Sequence, residues 1–101
     1  MPYVDKELRK YLEDYLDYTA QAIRTLAGGW SDPDVDIAHK VGLLNYCMTS
    51  LALRVLEQSG PENYARLSAI HGTFLAAAAE FYRRKVAPYE DKKRKENGDV
   101  Y

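Results

Sequence analysis

The chain has 101 residues, 47 % hydrophobic and 29 % charged, with 14 basic and 15 acidic side chains. This is the length of one domain and the composition of a globular protein, and the near-balance of charge excludes a general nucleic-acid binder, which carries an excess of Lys and Arg. A single cysteine, Cys47, excludes an internal disulfide and a Cys-rich metal site and fits a reducing, cytoplasmic setting, while no apolar run nears the ~18 residues of a membrane span.

Two glycine-centred breaks, Gly28-Gly29-Trp30-Ser31-Asp32-Pro33 and Ser59-Gly60-Pro61, together with Pro88, divide the chain. The pattern predicts an all-α bundle of three main helices, over about 5–27, 33–58 and 61–87, followed by a charged tail over 88–101. In the first segment Leu8, Leu12, Tyr15, Thr19, Ala22, Ile23 and Leu26 recur at three and four residues and form one stripe. Asp5 reads as its N-cap and Gly28 as the glycine that ends it. Tyr3 falls just ahead of this stripe, and Tyr11, Tyr15 and Tyr18 within the segment.

The second segment opens on Asp32-Pro33-Asp34, an Asp N-cap followed by a proline in the first turn. Val41, Leu44, Met48, Leu51 and Val55 then alternate steps of three and four, as in a short coiled-coil seam. Leu43, Tyr46, Cys47 and Leu53 widen the apolar arc beyond what two neighbours in a three-helix monomer cover. The expectation is a homo-oligomer whose interface includes Leu44, Tyr46, Met48, Leu51 and Val55. Gly42 is the weak point of this helix, with a start or a kink there as the alternative to an unbroken helix from 33.

In the third segment Leu67, Ile70, Phe74, Ala77 and Phe81 form the seam, beside the run Ala76-Ala77-Ala78-Ala79. Arg83, Arg84 and Lys85 sit in its last turns, where cations favour the helix dipole. Pro88 should end this helix, since its ring and missing N–H disfavour continuation. The tail then carries seven consecutive charges, Glu90 to Glu96, before Asn97-Gly98, a turn signal.

Chemistry-bearing residues are scattered. His39 and His71 fall on different segments, each without a second ligand at metal spacing on its own helix, and Cys47 has no nucleophile signature. Glu13, Asp17 and Glu80 are the carboxylates that a magnesium-dependent helical phosphohydrolase would use. Such enzymes pair Glu-x-x-Glu with Glu-x-x-Asp. Here there is no Glu-x-x-Glu, and the one Glu-x-x-Asp, Glu96 to Asp99, lies in the tail. No enzymatic activity, cofactor or metal site is expected.

Charge is uneven instead. Residues 1–36 hold eight acids and four bases, and residues 81–101 hold seven bases and four acids. Tyr82 and Tyr89 flank Arg83-Arg84-Lys85, and nine tyrosines in all make this residue the compositional outlier. Tyrosine beside arginine suits a protein interface or stacking on a ring, and arginine beside lysine suits phosphate. Arg83, Arg84, Tyr82, Tyr89, Lys92 and Lys93 are the candidate ligand- or partner-binding residues.

Several stretches carry a resemblance: Met1-Pro2-Tyr3, Leu44-Asn45-Tyr46, Glu80-Phe81-Tyr82-Arg83-Arg84, Val86-Ala87-Pro88-Tyr89-Glu90-Asp91-Lys92-Lys93, and the closing Glu96-Asn97-Gly98-Asp99-Val100-Tyr101. Together they resemble an uncharacterised family of short phage and bacterial proteins. The resemblance covers both ends and the centre, and Leu43 stands where that family has an acid. It implies a phage or prophage setting, and a tail that is more than a frayed end, but no activity. The resulting expectation is a non-enzymatic accessory protein in the host cytoplasm. It would antagonise a host defence process by occupying a host protein or by sequestering a phosphate-bearing, nucleotide-like small ligand. The alternative is a structural or assembly protein whose tail docks on a neighbouring subunit.

Overall fold

In the computed structural model, which describes residues 4–101, every regular element is helical. In chain order these are α1 (Lys6–Ala27), α2 (Pro33–Gln58), α3 (Tyr64–Phe81), a five-residue π turn (Tyr82–Val86) and α4 (Ala87–Asn97). The protein is all-α, as the periodicity predicts. Met1 to Tyr3, where the family resemblance begins and where Tyr3 precedes the apolar stripe, lie outside the described residues.

The helix boundaries follow from their capping residues. The Asp5 carboxylate accepts the Leu8 N–H at 3.0 Å, so the first turn of α1 keeps a partner for an otherwise orphan donor. Gly28 ends α1 at φ 83°, a conformation that a side chain resists. Asp32 opens α2 by accepting the Asp34 N–H at 2.9 Å, with Pro33 in the first position. Gly42 neither starts nor interrupts this helix, which runs unbroken to Gln58.

Two expectations need correction. The third helix starts at Tyr64, not Pro61, because Asn63 is the residue that caps it, accepting the Arg66 N–H at 2.9 Å. Pro88 does not end the helix. The backbone widens into a π turn just before it, where the Ala87 N–H reaches five residues back to Tyr82 O. A proline ring in a regular helix collides with the carbonyl four residues earlier, here Arg84, and leaves that carbonyl without a donor. One extra residue in the turn absorbs this conflict. Helical structure therefore continues into what was expected to be tail, ending at Asn97 with Gly98 at φ 86°.

The described residues divide into two units, one ending at Leu51 and the other running from Ala52 to Tyr101, with the division inside α2. Among the described residues one side chain, Ala27 at 5 % exposure, is buried. The apolar stripes are largely open: Leu12 on α1, Met48 and Leu51 on α2, and Leu67 and Phe81 on α3 are exposed, while Ala22, Ile23, Ile70 and Phe74 are half-buried.

Candidate functional site

The basic end expected to bind a ligand or partner is built on the π turn and its flanking helices. Glu80, in the last turn of α3, lies three and four residues before Arg83 and Arg84, the spacing that places side chains on one helix face. Its Oε1 accepts from Arg84 Nε at 2.6 Å and its Oε2 from Arg83 Nη2. The Arg84 hydrogen bond leads in holding the Glu80 carboxyl below its ordinary pKa; the positive charges of both guanidiniums add to this, and partial desolvation opposes it. Both candidate arginines thus already hold an anion, the carboxylate of their own helix.

Tyr82 points its hydroxyl at Glu90, eight residues on, and donates a hydrogen bond to Oε1. In a regular helix two residues eight apart lie roughly 80° apart around the axis. The π turn absorbs one residue, which makes them equivalent to seven apart and brings the offset to roughly 20°. The Glu90 hydrogen bond leads in raising the phenol pKa above its ordinary value, and the charges of Glu90 and Asp91 act in the same direction. The proline that widens the turn thereby sets which side chains meet.

Further along α4, Lys93 Nζ lies 5.5 Å from the centre of the Tyr89 ring and 3.3 Å from Glu96 Oε2. Arg94 pairs with Asp91 at 2.7 Å and with Asp99 at 3.7 Å. The Asp99 carboxylate in turn accepts the Tyr101 N–H at 3.1 Å. Asp99 thus ties the last residues to a base on α4, while the Tyr101 side chain itself stays fully exposed. A surface hollow of about 490 Å³ lies between α4 and this end, lined by Lys93, Arg94, Asn97 and Tyr101 among others. Lys85, Lys92 and Lys95 make no ion pair among the described residues.

The structure does not gather the six candidate binding residues around one point. Arg83 and Arg84 share Glu80, Tyr82 pairs with Glu90, Tyr89 and Lys93 meet each other, and Lys92 stands alone. The expected interface residues Leu44, Tyr46, Met48, Leu51 and Val55 are all exposed, Tyr46 at 70 % and Leu51 at 63 %. No group of three or more His, Cys, Asp or Glu residues with metal-binding geometry occurs among the described residues.

Sequence reasoning missed one local constellation. Trp30 donates its indole N–H to the Ala27 carbonyl at 2.6 Å, satisfying a terminal acceptor of α1. Its ring stacks on His39 with centroids 4.5 Å apart. His39 Nδ1 lies 2.8 Å from the Val35 carbonyl, which can only accept, so Nδ1 carries the proton. Lys40 pairs with Asp36 at 2.8 Å beside them. These contacts brace the α1–α2 connection. A lone Trp in a glycine-rich break was the available signal, since an aromatic there needs a surface to cover.

The class defined so far is a small all-α protein with open apolar helix faces and a tyrosine-rich basic end. Its sequence matches the family described as a domain of unknown function, DUF6899, over residues 1–100, and the chain belongs to that family. No curated protein and no solved structure matches it. Among the described residues no helix is long and apolar enough to cross a membrane.

Proposed function

We propose that this chain is a non-enzymatic accessory protein of phage type. It works in the host cytoplasm as an assembly of identical chains and antagonises a host defence process by occupying a protein of the host. The target contact runs along the segment Tyr82–Lys93, with Arg83, Arg84, Tyr82, Tyr89, Lys92 and Lys93 as its principal residues. The observation that carries this reading is the state of the two arginines. Both guanidiniums are held by Glu80, Lys93 is held by Glu96 and the Tyr89 ring, and Lys85 and Lys92 present exposed charges without an ion pair among the described residues. A small phosphate-bearing ligand would have to displace an intramolecular carboxylate from a site with no enclosing walls. An acidic protein surface meets the same residues as an extended stripe and adds tyrosine contact area. The phage setting comes from the family resemblance.

Expression of the chain in a panel of defended bacterial hosts, followed by phage challenge, tests this reading. The parent chain should restore plaque formation on at least one host. A variant carrying Arg83→Gln, Arg84→Gln and Tyr89→Ala should fold as the parent does and lose that effect. No rescue on any host, or equal rescue by the variant, would contradict it. The assembly alternative has one observation in its favour: beyond the Asp99–Arg94 pair, the side chains of Val100 and Tyr101 are both exposed, apolar surface that a neighbouring subunit would cover.

A further inference from the structure

Residues 80–101 carry seven basic and five acidic side chains, and all five acids are engaged within the segment. Arg83 and Arg84 hold Glu80, the Tyr82 hydroxyl holds Glu90, Arg94 holds Asp91 and Asp99, and Lys93 holds Glu96. Four of the seven bases are thereby neutralised by their own segment. Lys85, Lys92 and Lys95 are the three without an ion pair among the described residues. The π turn decides where these three point. Between Tyr82 and Ala87 five residues do the work of four, so each turns roughly 80° instead of 100°. Carried on through α4 at roughly 100° per residue, this puts Lys85, Lys92 and Lys95 within one sector of roughly 120°. Tyr89 lies at its edge beside Lys85, and Arg84 lies near its middle. Arg84 and Lys92 are eight apart; a regular helix would set them roughly 80° apart, and the wide turn brings them to roughly 20°. All five side chains are exposed. Glu90 and Arg94 lie on the opposite side, where Val86 and Ala87 are half-buried.

We propose that Lys85, Lys92 and Lys95, with Arg84 and Tyr89 among them, form the face that docks on an acidic surface of the protein target. This deepens, and rests on, the functional reading above, and it adds Lys85 and Lys95 to the contact. The argument is charge complementarity. Three ammonium groups spread over about 15 Å of one helix face, none neutralised by its neighbours, sum to a positive field that an anionic partner relieves. The lysines draw the two surfaces together. Arg84, at the centre of the face, then exchanges the Glu80 carboxylate for one of the partner's. Two further observations favour a protein over a nucleic acid or a membrane. The chain as a whole carries a net −1, which opposes long-range capture by a phosphate polymer or an anionic bilayer. α4 offers no Leu, Ile, Val, Phe or Met to enter a bilayer, whereas Tyr89 supplies the ring that protein interfaces favour.

Fluorescence anisotropy of the full chain with a labelled oligoglutamate peptide tests the proposal, with a DNA duplex and phosphatidylserine vesicles as competing probes. The parent chain should bind the peptide, lose affinity as salt rises, and bind duplex and vesicles less tightly. Binding that ignores salt, or that is tighter to the duplex or the vesicles, would overturn the proposal. Lys85→Gln, Lys92→Gln and Lys95→Gln together should weaken peptide binding about tenfold, the sum of three exposed pairs. The helix should be kept, since glutamine suits a helix and all three sites are exposed. Lys6→Gln, Arg9→Gln and Lys10→Gln remove the same charge from α1 and should bind the peptide as the parent does. Equal weakening by the two triple variants, or none by the first, is the contrary result. Phage challenge separates this inference from the reading on which it rests. On a host that the parent chain rescues, Lys85→Gln with Lys95→Gln should lose the rescue, and parent-like rescue by that pair would overturn the inference alone. No rescue by the parent on any host, with peptide binding still dependent on the three lysines, would contradict the functional reading and leave this face standing.

Discussion

Replacing Pro88 by Ala removes the reason for the π turn. The ring no longer meets the Arg84 carbonyl, and residue 88 regains an N–H to donate to it. The effect on stability is small and bounded. Proline costs up to about 3 kcal/mol relative to alanine within a regular helix, but the wide turn already relieves the steric share. Alanine also frees the unfolded chain, which offsets about 0.4–1 kcal/mol. The net gain therefore lies between roughly 0 and 2 kcal/mol, so the melt discriminates poorly. The register of the helix discriminates well. Closing the wide turn rotates everything after it by roughly 100° relative to α3. Tyr82 and Glu90 separate to roughly 80° around the axis, and their hydrogen bond breaks. The phenol pKa of Tyr82, raised by Glu90, should then fall back toward its ordinary value of 10.0. The assay is an alkaline titration of the Tyr82 ring resonance by NMR, assigned by its loss in Tyr82→Phe. A Pro88→Ala chain that keeps the raised Tyr82 value would refute the account in which proline sets the turn and the turn sets the pairing.

Other outcomes follow from the same structure. The Glu80 pKa is depressed on folding, so its contribution is present above the ordinary carboxylate value of 4.5 and is lost as pH falls through the lower folded value. Acid denaturation should therefore show a component that Glu80→Gln removes. The raised Tyr82 value has the opposite sign: its contribution is present below pH 10.0 and is lost as pH rises through the folded value. Glu80→Gln also releases Arg83 and Arg84, so binding of inorganic phosphate or a nucleotide should strengthen in that variant and vanish when both arginines are changed to Gln, measured by calorimetry. Gly72 lies inside α3 with open space around its would-be Cβ, so Gly72→Ala should stabilise by about 0.5–1 kcal/mol in thermal melts. Asp32→Ala removes the cap of α2 and should cost about 1 kcal/mol in the same measurement.

Helix identity was legible because it depends on local signals. Asp5, Asp32 and Gly28 act as their positions imply, through hydrogen bonds within a few residues. The pairing of Glu80 with Arg83 and Arg84 was equally open to view, since spacings of three and four are helical neighbours. Pro88 misled because the rule against proline in a helix describes a regular helix, and a widened turn removes the clash on which the rule rests. Tyr82 and Glu90 could not be paired in advance, as a separation of eight aligns only once the turn is known. Pro61 sets the expected start of the third helix too early, because Asn63 is the residue whose side chain accepts a backbone N–H. The second helix gave the most informative signal. Its apolar arc is wide, and along it Leu44, Met48, Leu51 and Val55 are exposed while Leu43 and Cys47 are half-buried.

The most direct measurement is native mass spectrometry of the freshly purified full chain. It reads the number of copies and any bound small molecule in one spectrum. The account predicts ions at whole multiples of the 11.5 kDa chain, two or more, with no monomer series and no added small-molecule mass. A dominant monomer series would contradict the proposed assembly of identical chains. A co-purified phosphate-bearing mass that disappears in the Arg83→Gln, Arg84→Gln chain would contradict the choice of a protein surface as the target.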